Sequence, residues 1–301
     1  MENTLFAEDI IVVNKLSYGP KIPQSIAEIP WIGLLFSESE RTPWKRKRLA
    51  GIKSIDHGEV IVFQQSNGRF AVKRCVGIAN DKFQIKEGII YINGQKYEES
   101  ENTKKRYRVH VSNPETFYQE LKTLPSKVTA DPVRNKATVF EVYLTPEEYT
   151  KVHQFTSVQK INILSDAVYR SYVGHIRYYD DWKRNNLGPV IIPKKGMQIR
   201  WNTTLFQRYK ETLKEYENVT VTQKDAQFYV NGILSKEYIF QKDYLFVIGD
   251  NRRDSKDSRH YGFVPQERVV GKVNYIVYSN YNGAFQWNRL FKKVHGNPQR
   301  K

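Results

Sequence analysis

The sequence predicts a mainly β protein whose core is interrupted in the chain by an α+β insertion. Three observations carry this. β-Branched and aromatic runs bounded by turn residues fill the first hundred positions, helix-start signals follow between about residues 100 and 240, and strand patterns return from Tyr244. The expected organisation is a discontinuous β-rich core over 1–97 and 243–290, an α+β insertion over 98–242 and a basic tail over 291–301.

Ile10 to Leu16 reads as a strand stopped at Tyr18-Gly19-Pro20. Strands at Glu59–Gln64 and Arg69–Ile78 are joined through Ser66-Asn67-Gly68, where Asn-Gly tolerates positive φ at both central positions. A second hairpin spans Phe83 to Tyr97 and turns near Asn93-Gly94. In the insertion, Asn113-Pro114-Glu115 and Thr145-Pro146-Glu147-Glu148 place a cap before a proline at the first helical position, and Thr145 with Glu148 fits a capping box. Leu205, Tyr209, Leu213 and Tyr216 recur at helical spacing, so a third helix is expected. Ile89–Gly94 and Gln227–Gly232 resemble each other and read as similar turns, since a repeat architecture needs about three units. Further strands are expected at Tyr244–Ile248 and Val269–Tyr278.

The chain of 301 residues, with 40% hydrophobic content and 20 tyrosines, has enough apolar surface to order itself, which excludes a disordered protein. Its formal charge of +16 favours an anionic partner, phospholipid or nucleic acid. A single cysteine, Cys75, excludes an internal disulfide framework and any Cys-rich zinc site. No apolar run approaches the roughly 20 residues of a spanning helix; the longest candidate is Ile29–Phe36, and Glu2, Glu8 and Asp9 do not fit a secretory signal.

The densest polar segment, Gly249 to Pro265, is entered directly from an apolar strand, so its charges must be paired or exposed. Taken alone, a solvated turn rich in Asp and Asn is the default. However, Gly249-Asp250-Asn251-Arg252, then Ser255, Asp257, Ser258, Arg259 and Gly262-Phe263-Val264-Pro265, resembles a long signature motif of signal peptidase I. Val72-Lys73-Arg74 with Val76-Gly77 is similar to the segment holding that family's catalytic lysine, and Asp9–Gly19 to the strand after its nucleophile. Over 98–242 the resemblance is to the enlarged variants of Bacteroidetes-type signal peptidases.

The resemblance implies a signal-peptidase-like antiparallel β-sheet catalytic core and a serine-lysine endopeptidase. Lys73 is then the general base, Ser255 orients it, and Asp257 with Arg259 forms a supporting ion pair. Asp250, Asn251 and Arg252 shape the site loop. A lysine base must be neutral, although lysine ordinarily titrates at about 10.4, so desolvation must lower that value. Strand alternation puts Ala71, Lys73 and Cys75 on one face, and Phe70, Val72, Arg74, Val76 and Ile78 on the other. Without the motif, Lys73 would read as a solvated strand residue.

Met1-Glu2-Asn3-Thr4-Leu5 resembles the family's nucleophile motif from its methionine onwards, so Met1 is adjacent to the nucleophile and the serine is expected immediately before it. A polypeptide starting at Met1 is then expected to have negligible activity, and an apolar anchor is expected further upstream. Two departures concern turns: Ala7-Glu8-Asp9 stands where Gly-Asp is usual, and Ile78-Ala79-Asn80-Asp81 where a Pro-Gly-Asp turn is usual.

No cofactor or metal is expected, because the six histidines lack ligand spacing and no nucleophile elbow or phosphate-binding loop occurs. His260 reads as a loop residue and Cys75 as a small packed one. The implied partners are signal peptides of secretory precursors. The full-length protein is expected at the bacterial cytoplasmic membrane, with its catalytic domain on the outer face. The apolar Ile29–Phe36 beside the basic Trp44–Arg48 suggests contact with an anionic membrane surface. Two other classes stay open: a non-catalytic peptidase-like module binding peptide or membrane, and a nucleic-acid binder, against which stands the absence of a helix-turn-helix segment before the β region.

Overall fold

The structure, a computed structural model, describes residues 1, 4–22, 48–124, 128–164, 186–252, 255–281 and 283–296. Strand β1 (Ile10–Asn14) runs into a 3-10 turn, and a hairpin of β2 (Val60–Gln64) and β3 (Phe70–Gly77) follows. This hairpin differs from the expected two-residue turn. Gln65 N donates to Arg69 O at 2.8 Å, Gly68 N donates to Gln65 O at 3.0 Å, and of the turn residues only Gly68 is left-handed, with φ of 83°. The connection is a type I turn completed by a glycine bulge, and it fixes the register that sets Ile61 opposite Lys73 and Val60 opposite Arg74.

β4 (Lys82–Lys86), β5 (Ile89–Ile92) and β6 (Gln95–Lys96) form a meander with two turns where one was expected. Asn93-Gly94 turns with φ of 54° and 83°, and Glu87-Gly88 does the same with 51° and 79°. The second turn was hidden because glutamate is not a residue that signals positive φ. Both departures from the expected glycine turns are also resolved here: Glu8 and Asn80 themselves take positive φ, 70° and 77°.

The next part is a compact βαββαβ unit: β7 (Lys105–Val111), α1 (Pro114–Leu121), β8 (Ala130–Val133), β9 (Lys136–Leu144), α2 (Pro146–His153) and β10 (Val158–Ile163). Its antiparallel sheet has the order β10-β7-β9-β8, the split βαβ arrangement known as ferredoxin-like. Both helices start where the caps predict. Asn113 Oδ1 accepts from Glu115 N at 2.9 Å, and Thr145 and Glu148 form the reciprocal capping box before Pro146. Val109, Phe117, Phe140, Val142 and Val152 close a separate core.

The rest of the stretch expected as an insertion packs elsewhere. β11 (Leu187–Ile191) pairs with β4; then come β12 (Gln198–Arg200), α3 (Thr203–Tyr216), β13 (Val221–Lys224), β14 (Gln227–Val230), β15 (Ile233–Leu234) and β16 (Glu237–Ile239). The expected apolar face of α3 puts Tyr209, Leu213 and Tyr216 into one core with Val76, Phe83, Tyr244 and Phe246. The similar turns prove to be a repeated meander. Asn218, Asp225, Ala226, Asn231 and Gly232 take positive φ in β13–β15, where Asn80, Glu87, Gly88, Asn93 and Gly94 do so in β4–β6. Asn93 Oδ1 accepts from Lys82 N and Asn231 Oδ1 from Thr220 N, at 2.8 and 2.9 Å.

β17 (Tyr244–Ile248), α4 (Ser258–Tyr261), β18 (Val264–Pro265), β19 (Val269–Tyr278), β20 (Asn280–Tyr281), β21 (Ala284–Phe285) and β22 (Lys292–Lys293) complete the chain. The main antiparallel sheet has the order β1-β19-β2-β3-β17-β18, with β22 also on β19. Residues 292–296, within the stretch read as a tail, are therefore part of the fold: Val294 is buried and His295 O accepts from Arg74. Arg48 also departs from its reading as a lipid-facing cation, because it donates to Gly19 O at 2.6 Å and Val269 O at 2.8 Å. The apolar stretch 29–36 and Trp44 to Lys47 lie outside the described residues.

One hydrogen-bonded pair ties the loop before β2 to the β4–β6 meander. Asp81 accepts from His57 Nε2 at 2.7 Å, Ile78 N at 2.9 Å and Asn93 Nδ2 at 3.0 Å. The Asp81 hydrogen bond raises the His57 pKa against an opposing effect of burial. A raised histidine contributes stability that is full below its unfolded value of about 6.5 and is lost as pH rises through the folded value. Thermal midpoints measured against pH should therefore fall across that window more steeply in the native protein than in His57→Gln; parallel curves would contradict this role.

Candidate active site

The site forms where β3 and β17 run side by side, with Phe246 opposite Gly77 and Ile248 opposite Arg74. Alternation along β3 sends Lys73 and Arg74 to opposite faces, and the end of β17 does the same with Gly249 and Asp250. On one face, Lys73 Nζ donates to Ser255 Oγ at 3.0 Å, and Ser255 is buried. Gly249 makes this contact possible: a Cβ there would lie 2.1 Å from Ser255 Oγ and 3.5 Å from Lys73 Nζ.

On the other face Arg74 and Asp250 form a bidentate pair, Nε to Oδ1 at 2.9 Å and Nη2 to Oδ2 at 2.7 Å. Both are almost inaccessible, with side-chain exposures of 3% and 2%. The remaining Arg74 nitrogen donates to Gly58 O at 2.6 Å and His295 O at 3.2 Å, and the Thr4 hydroxyl donates to Asp250. Burial pushes the Asp250 carboxyl up, but Arg74 and Thr4 outweigh it and hold the group below the usual carboxylate range, so it is ionised.

The loop carries a second buried pair. Asp257 Oδ1 accepts from Arg259 Nε and Oδ2 from Arg259 Nη2, both at 2.9 Å, and Oδ2 also accepts from Gly249 N at 3.1 Å. Asp257 caps α4 as well, accepting from Arg259 N at 3.2 Å. Burial raises the Asp257 pKa, but Arg259 and His260 prevail and hold it well below its ordinary value. His260 lies on α4, rather than in a loop, with Nδ1 accepting from Asp257 N at 3.3 Å. Among the described residues of the loop, Asp250 and Asp257 are thus engaged by guanidinium groups, and the Ser255 hydroxyl accepts from the Lys73 amine.

The other expected site residues reach different partners. Arg252 pairs with Glu99, while Lys104 N donates to Asp250 O at 3.1 Å and Asn251 bridges to Lys104. Met1 packs against the cluster that contains Leu5, Val60 and Val62, and its carbonyl accepts from Thr4 N at 2.9 Å and Leu5 N at 2.8 Å. Cys75 is fully buried, its Sγ donating to Gly77 O at 3.5 Å, and burial pushes its thiol pKa up. Among the described residues, no group of three or more His, Cys, Asp or Glu side chains could hold a metal ion.

A family model described as "Signal peptidase, peptidase S26" matches residues 1–168 and 181–278. The chain belongs to that family. Among its relatives is the signal peptidase I of Buchnera aphidicola subsp. Baizongia pistaciae, 26% identical over 295 residues, covering 97% of this chain and 68% of the relative. The signal peptidase I of Buchnera aphidicola subsp. Schizaphis graminum is 24% identical over 294 residues, covering 95% and 68%. A crystal structure of a signal peptidase I from Enterococcus faecalis aligns at 16% identity over 74% of this chain and 99% of that one, with a TM-score of 0.28. The family is membrane-associated, and no helix among the described residues is long and apolar enough to cross a membrane.

Sequence reasoning did not pair Arg74, Thr4 or Glu99 with the site. A usable signal existed for Arg74, because alternation sets it among Val72, Val76 and Ile78, and a charge on an apolar face requires a partner. Removing one half of such a pair leaves an uncompensated buried charge, so Asp250→Ala should cost about 3–5 kcal/mol of stability. Urea unfolding measures this, and a loss near zero would show that the pair does not constrain the fold.

Proposed function

We propose that this chain is the catalytic part of a signal peptidase I, a serine-lysine endopeptidase that removes N-terminal signal peptides from secretory precursors at the membrane surface. The observation that carries this reading is the 3.0 Å contact between Lys73 Nζ on β3 and Ser255 Oγ of the signature segment. In the proposed mechanism the neutral Lys73 amine takes the proton of a serine hydroxyl adjoining Met1 as that oxygen attacks the scissile carbonyl. The same proton then passes to the leaving amine, and water later releases the acyl group with Lys73 again as base. Ser255 fixes the direction of the Lys73 amine, and the Asp257–Arg259 pair holds the Ser255 loop against β17. Asp250, Asn251 and Arg252 hold the start of that loop.

Contact with a membrane surface is supported by Leu16, Leu49 and Ile52, exposed by 58%, 54% and 80%. Ile52 N donates to Leu16 O at 3.3 Å, so these side chains belong to one corner of the molecule. Vesicles containing phosphatidylglycerol should float with the protein, and Leu16→Ser with Ile52→Ser should weaken that; no association with anionic vesicles would refute the membrane contact.

The catalytic reading is tested in a polypeptide that carries a serine before Met1. Lys73→Ala, Lys73→Arg and alanine in place of that serine should each abolish precursor cleavage while circular dichroism stays native, because a guanidinium remains protonated at working pH. Normal cleavage by a Lys73 variant would remove the general-base assignment and favour a peptide-binding module without catalysis.

A further inference from the structure

The segment linking β6 to β7 crosses the catalytic loop before entering the inserted βαββαβ unit. Glu99, in this segment, is 9% exposed in its side chain. One of its oxygens meets Arg252 Nη2 of the catalytic loop, and the other meets Lys105 Nζ, the first residue of β7. Beside it, Lys104 N donates to Asp250 O at 3.1 Å, and Lys104 Nζ lies 3.7 Å from Glu148, which caps α2. On the catalytic side the Arg252 carbonyl accepts from Arg259 Nη2 at 3.2 Å, and Arg259 clamps Asp257, which holds Gly249 N. A continuous set of charged contacts thus runs from the inserted unit to the glycine that admits Ser255.

A buried ion cluster of this kind is by itself weak evidence for a role, because desolvation offsets its Coulombic gain. Two features of Glu99 go further. Its two cations come from parts of the molecule with separate hydrophobic cores, the inserted unit and the catalytic core. Loss or displacement of either cation would leave a carboxylate in a site where burial opposes its charge, so the two parts are held in a fixed relation.

Resting on the peptidase reading above, we propose that Glu99 is a positioning residue for the Lys73–Ser255 pair, through which the seating of the inserted βαββαβ unit sets the geometry of the catalytic loop. Substitution on the insertion's side of the clamp then reaches a reaction in which the insertion takes no chemical part.

The test follows cleavage of a synthetic precursor peptide by the full-length protein, with kcat, KM and the pH profile of kcat measured for Glu99→Gln, Glu99→Asp and Lys105→Met. Glu99→Gln should lower kcat about tenfold, a size typical of coupling between sites. KM should stay unchanged and the acid limb of the profile should move. Glu99→Asp should recover part of the rate, and Lys105→Met should change kcat in the same direction with a smaller loss. A lower melting temperature with kcat, KM and pH profile unchanged for the folded fraction would overturn the proposal. If Glu99→Gln does not fold, Lys105→Met decides by the same criteria. Lys73→Ala in the same assay separates the two readings. Activity retained there sinks the peptidase reading, whereas a dead Lys73→Ala beside wild-type profiles for Glu99→Gln and Lys105→Met sinks only the role of Glu99.

Discussion

The constraint on which the rest of the site depends is the buried pair of Arg74 and Asp250. A guanidinium and a carboxylate at 3% and 2% exposure are stable together only in good geometry, because each has given up its hydration. Here the geometry is bidentate, and the further hydrogen bonds of the two side chains go to three separate segments. Thr4 belongs to the chain after Met1, Gly58 to the loop before β2, and His295 to the residues after β22. Replacing the pair by apolar side chains could conserve stability, but it would lose this convergence of three segments.

The period of two along a strand carries that constraint to the Lys73–Ser255 contact on the opposite face. Lys73 and Arg74 are neighbours on β3, and Gly249 and Asp250 are neighbours at the end of β17. Locking Arg74 to Asp250 on one face therefore fixes the spacing of Lys73 and Gly249 on the other. Gly249 has no side chain, so Ser255 can occupy that space and accept from the Lys73 amine. The Asp257–Arg259 pair acts on the same point from the loop side, through Asp257 and Gly249 N. Two ion pairs of low exposure thus flank an amine–hydroxyl contact, and both carboxylates are turned toward guanidinium groups.

Legibility in the sequence followed the range of the interaction. The starts of α1 and α2 were readable because cap and proline act within a few residues, and the α3 face because its period is regular. The Glu87-Gly88 turn was missed, since glutamate at positive φ carries no local signal, and the repeated meander was missed with it. Ser255, Asp257 and Arg259 stand in one segment and could be recognised by resemblance. Glu99 could not, because its meaning depends on Arg252, far along the chain, and on Lys105 at the entrance to another unit. Arg48 was misread for a related reason: its basic neighbours suggested a charged surface run, whereas its guanidinium is used on backbone carbonyls.

The central claim is that the ion pair on one face sets the Lys73–Ser255 contact on the other, and a high-resolution crystal structure of Asp250→Asn tests it most directly. Asparagine keeps the shape of the side chain and removes the charge that holds Arg74. The account predicts that Arg74 shifts and that the Lys73 Nζ–Ser255 Oγ separation opens beyond the hydrogen-bond range of about 3.5 Å. A folded variant in which that contact remains at 3.0 Å would contradict it.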